Sequence, residues 1–186
     1  MTSQVLEQAR YQVRFDWAAA GAQAVGSDAD VIVWVDAAAA PEAPNLAALP
    51  VTGAVITATI SDAAAVASWV VELQQRLSRR IVIAIVAAGK PRQGSATAQP
   101  IRFAVEDLLA SGAVIDQLAR LGLDATSPEA AAAEGAFLHL GRAVGHLMSA
   151  SVTAQGAAAS AAVGSFRVNS ALSANDAVVL REHSGL

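Results

Sequence analysis

Apolar and polar positions along this chain repeat with two periods, and the change from one to the other divides it into strands and helices. Tyr11, Val13 and Phe15 share one face of an extended segment, with Gln12 and Arg14 on the other. Val31 to Val35 is apolar on both faces, the pattern of a central buried strand, and it ends at Asp36. Val55 to Ile60 is rich in β-branched residues, and Ile81 to Ala87 is a second run apolar on both faces. A last strand, Ala177 to Arg181, is expected at a sheet edge after a turn at Asn175-Asp176.

The longer period lies between these runs. Ala18 to Val25 reads as a short helix stopped at Gly26-Ser27. Ser61-Asp62 opens the clearest helix: Val66, Trp69, Val70, Leu73 and Leu77 recur at helical spacing, and Arg79-Arg80 stands at the negative end of the helix dipole. Phe103 to Leu121 is helical up to Gly122, and Pro128 to about Ala150 opens with Ser127 as N-cap and proline in the first turn. Lys90 to Pro100, with its prolines and glycine, reads as a polar loop, and Ala37 to Pro50 as an alanine- and proline-rich one.

Strands that alternate with helices predict a mostly parallel or mixed sheet with helices on both faces, a three-layer α/β/α domain spanning 1–186. Composition agrees. Hydrophobic residues make up 54 % of the chain but aromatics only 4 %, so alanine and valine carry the apolar share. The mean hydropathy of +0.44 raises the question of a membrane. Yet the longest apolar run, Ile81 to Ala88, falls far short of the roughly 20 residues a spanning helix needs. The polar segment Met1 to Arg10 has no signal pattern, so the expected compartment is the cytoplasm. Absence of cysteine removes disulfides and thiolate chemistry, and a net charge of −4 without a basic patch argues against nucleic acid as a partner.

In parallel sheets ligands gather at the carboxyl ends of the strands, which directs attention to Asp16, Asp36 and the loop after Gly89. Asp36 suits a hard divalent cation or a polarised water, and the competing role is to accept hydrogen bonds at the strand end. Asp16 competes between that chemistry and capping the helix that begins near Ala18. Glu106 and Asp107 point about 100° apart on a helix, so one is expected towards a site and the other towards solvent. Gly112, costly inside a helix, would be explained by close approach of another element. His139, Arg142 and His146 form one stripe that reads as an exposed polar face or as an anion site, and Gly141 and Gly145 would let a second helix approach in a homodimer. Dinucleotide, Walker, nucleophile-elbow and H-E-x-x-H patterns are absent from the sequence.

Several segments occur together in a familiar order. Arg14-Phe15-Asp16-Trp17 with Gly21-Ala22, the run Asp30 to Asp36, Asp62 to Ala67, Ile83 to Gly89 and the tail Phe166 to Arg181 each resemble segments of the 2-phosphosulfolactate phosphatases. The strongest match is Val105 to Ile115, similar to that family's helix with a Glu-Asp pair. The resemblance implies an Mg²⁺-dependent phosphomonoester hydrolase acting on a small anionic phosphorylated acid. It implies Asp36, Glu106 and Asp107 as catalytic residues, Asp36 and Asp16 as metal ligands, and Arg102 and Arg92 as phosphate ligands. The chain departs from the family in three places. Ala37 to Ala40 replaces a basic segment, Pro41 to Gly53 is a shortened stretch, and Lys90 replaces an acid. The alternative reading is a non-catalytic binding or assembly protein that keeps the fold.

Overall fold

The computed structural model describes residues 8–37, 53–91, 101–161 and 178–181. The expected loop over 37–50, Arg92, the Asn175-Asp176 turn and most of the tail from Phe166 lie outside them, Ala37 alone of that loop being described.

Five strands form the main sheet: β1 (Val13–Trp17), β2 (Val31–Val35), β3 (Ala54–Ala58), β4 (Ile83–Ala87) and an edge strand over Val178–Arg181. The order is β1, β4, β2, β3, then the edge strand. The first four run parallel and the last pairs antiparallel with β3. Strands β2 and β4 are buried at every position, as two apolar faces require. The helices are α1 (Ala18–Gly26), α2 (Ala63–Leu77), α3 (Val105–Arg120) and α4 (Pro128–Leu140).

Alternate strand residues serve two separate cores. Val13, Phe15, Val33, Ile56, Ile83 and Ile85 face α2, α3 and α4, while Ile32, Trp34, Val55, Ala84 and Val86 lie on the side of Ala22 and Val25 of α1. The expected three-layer α/β/α arrangement is therefore present, with a mixed sheet. Gly112 has the reason anticipated for it: a Cβ there would overlap the carbonyl of Ala133, so glycine lets α3 and α4 pack backbone to backbone.

Several boundaries differ from the sequence reading. β1 starts at Val13, because the amides of Gln12 and Val13 donate to the Ala125 carbonyl, and it runs on to Trp17 through five rows paired with β4. Lys90–Pro91 is not loop but a short strand paired with Ile101–Arg102; numbered in chain order these are β5 and β6, and the edge strand is β7. The helix expected from Pro128 to Ala150 is broken by a tight turn at Gly141–Ala143 before α5 (Val144–Ala150), and α6 (Val152–Ala161) follows. Only Ala130 and Ala133 of α4 are buried, and no residue of α5 is. Local propensity, weakened by Gly141, therefore sets where that helix ends.

No helix among the described residues is long and apolar enough to cross a membrane.

Candidate functional site

The sheet order places the end of β2 beside the end of β4, and the first turn of α3 sits over both. Asp36 follows β2, and Gly89-Lys90 follow β4. Gly89 turns the chain with φ +62°, and a side chain there would overlap Ile101. That turn, together with the β5–β6 pairing of Lys90 with Arg102, fixes where the lysine begins. Its Nζ lies 2.9 Å from Asp36 Oδ1, with both side chains largely buried.

Asp107 joins the two strand ends to α3. Its Oδ1 accepts the Ala37 amide at 2.9 Å and its Oδ2 accepts the Gly89 amide at 3.0 Å. Burial pushes its carboxyl up to about 7, the neighbouring charges of Asp36 and Glu106 adding to the effect. The Ala37 amide and the Lys90 ammonium pull the other way.

Glu106 differs from the expectation that one acid of the pair meets solvent. It is 4 % exposed and Asp107 0 %. Neither Glu106 carboxylate oxygen has a hydrogen-bond partner among the described residues. A buried carboxylate in that state is costly, and functional sites are where such costs are kept.

Asp36 and Asp107, some 70 residues apart in sequence, lie close together at the ends of β2 and β4, and Glu106 adjoins Asp107 in the first turn of α3. The other expected residues take separate places. Asp16 lies on β1, at the edge of the sheet opposite β7 and two strands from β2, with its Cβ where a side chain on Gly21 would fall. Its Oδ1 accepts the Trp17 amide at 2.7 Å, so it caps the strand–helix junction and not α1 itself. It also lines an open cleft of about 490 Å³ with Gln8, Phe15, Trp17, Leu108 and Glu129. Arg102 donates to the Phe103 carbonyl and to Thr153 Oγ1 at 2.9 Å. His139, Arg142 and His146 are exposed across the broken helix.

The sequence marks Lys90 only as part of the loop after Gly89 and as a departure from the resembled pattern, and does not announce its pairing with Asp36. The signal it does carry is that it is the chain's single lysine, placed after a strand-ending glycine.

The oxygen chemistry of the three acids suits a magnesium ion, but their arrangement does not. An ammonium sits on Asp36, both Asp107 oxygens hold backbone amides, and among the described residues no three ligating side chains are grouped. No family model and no curated protein sequence matches the chain.

Proposed function

We propose that this chain is a phosphomonoester hydrolase acting on a small phosphorylated acid of the 2-phosphosulfolactate kind, with its site at the carboxyl ends of β2 and β4. The observation that carries the reading is the meeting of Asp36, Lys90 and Asp107 at those two strand ends. The ammonium offsets phosphate charge. Asp36 takes a proton from the attacking water as the new P–O bond forms. Asp107, buried with both oxygens on backbone amides, holds the two strand ends together, and the leaving oxygen takes its proton from solvent as the ester P–O bond breaks.

Asp36 and Asp107 lie near one ammonium here, so an anionic substrate binds best when Asp107 is protonated. Activity is expected to fall as pH rises through about 7. The direct test is release of phosphate from 2-phosphosulfolactate and a panel of phosphorylated hydroxy acids. Turnover that disappears in Asp36→Asn supports the reading, and a folded chain that releases no phosphate from any of them contradicts it.

One observation favours the second reading, a binding or assembly protein that has kept the fold. The amides on Asp107 and the ion pair on Asp36 also suffice as a structural clamp between strand ends.

A further inference from the structure

The metal expectation and the geometry disagree at one residue, and that residue explains the disagreement. A divalent cation in a phosphate site neutralises charge and holds carboxylates in place. Lys90 already does both here. Its Nζ is 2.9 Å from Asp36 Oδ1, its charge is felt by Asp107, and both partners of the ion pair are largely withdrawn from water.

The choice of side chain also points this way. The sequence has 12 basic residues and every other one is arginine. Arginine presents a broad planar fork, whereas lysine presents a compact point charge, the closer counterpart of a metal ion among carboxylates. Its backbone is fixed by the left-handed turn at Gly89 and by the Lys90–Arg102 pairing, so the ammonium is delivered by a built element and not by a free surface chain.

We infer that Lys90 is a resident cation standing in for the divalent ion, so that the site takes a phosphate-bearing anion without added metal. This rests on the reading of the site as a phosphate site. Magnesium and the Lys90 ammonium then compete for Asp36, and removing the ammonium opens the position to the metal.

Thermal unfolding of the full chain tests this, with magnesium chloride or EDTA as the only variable. Wild type is expected to melt at the same temperature in both. Lys90→Gln is expected to melt lower in EDTA and to regain about 3 °C with millimolar magnesium. Magnesium that raises the wild-type melting temperature as much as the variant's, or that leaves the variant unmoved, overturns the inference. Should Lys90→Gln not fold, inorganic phosphate on wild type decides. Stabilisation that persists in EDTA supports the resident cation, and stabilisation that appears only with magnesium overturns it. Phosphate release that requires magnesium would sink this inference while leaving the hydrolase standing. A magnesium response confined to Lys90→Gln, without phosphate release by wild type, would do the reverse.

Discussion

The two ends of the sheet are built from the same residue types and treat them differently. At the amino ends the buried charges have partners. Arg14, 1 % exposed, donates to Asp28 and to the carbonyls of Ala9, Tyr11 and Val25. Asp30 accepts from Arg79 and from the Val82 amide, and Gln12 links Gln74 to Arg80. At the carboxyl ends Asp36 pairs with the Lys90 ammonium, Asp107 lies within reach of its charge, and Glu106 adjoins Asp107. Asp107 is raised by burial, and Glu106 is buried without a partner among the described residues. Polar groups satisfied throughout hold a fold together, whereas buried groups without hydrogen-bond partners cost it stability. Strand β2 carries an aspartate at each end, Asp30 before it and Asp36 after it, and so spans both regimes.

The largest expected effect belongs to the carboxyl end and depends on pH. In the unfolded chain the Asp107 carboxyl titrates near 3.8, and in the folded one at about 7. Between those values the folded state holds a proton that the unfolded state has lost, so stability falls as pH rises from about 4 to about 7 and levels off above. The ceiling on that loss is about 4 kcal/mol. Urea unfolding across this window should show the fall in wild type and a flatter profile in Asp107→Asn; parallel profiles would count against a raised carboxyl.

Next in size is the amino end. Arg14→Ala strands three carbonyls and Asp28, and is expected to cost about 3 kcal/mol while leaving any phosphate-induced stabilisation intact. Loss of that stabilisation in a folded Arg14→Ala chain would erase the distinction between the two ends. Smaller, and opposite in sign, is Glu106→Met. Removing a buried carboxyl group that has no hydrogen-bond partner among the described residues should raise stability by about 1 kcal/mol, read as a later urea midpoint. A loss of stability instead would mean that Glu106 is held by contacts that matter to the fold.

Much of this fold was legible because buried parallel strands advertise themselves. Val31–Val35 and Ile83–Ala87 have no polar alternative, and the spacing of Val66, Val70 and Leu73 leaves one face for α2 to bury. Helix ends were harder where burial is slight, as at Gly141, since nothing but local propensity fixes them. The site was legible in part. Asp36 and the Glu106-Asp107 pair could be named from strand ends and from the resemblance. The Lys90–Asp36 pair could not, because it exists only once β4 is inserted beside β2, and no local pattern announces strand order. The burial of both Glu106 and Asp107 was hidden for a related reason: helical geometry separates the two side chains by angle, and the packing that covers both comes from distant segments.

The most direct test of the central claim uses the two aspartates of β2. Phosphate release per folded molecule and urea stability are measured side by side for Asp30→Asn and Asp36→Asn. The account predicts that Asp30→Asn loses about 1–2 kcal/mol of stability and keeps its turnover, while Asp36→Asn loses turnover and remains folded. Turnover that survives in Asp36→Asn, or that fails equally in both, would contradict the assignment of function to the carboxyl end.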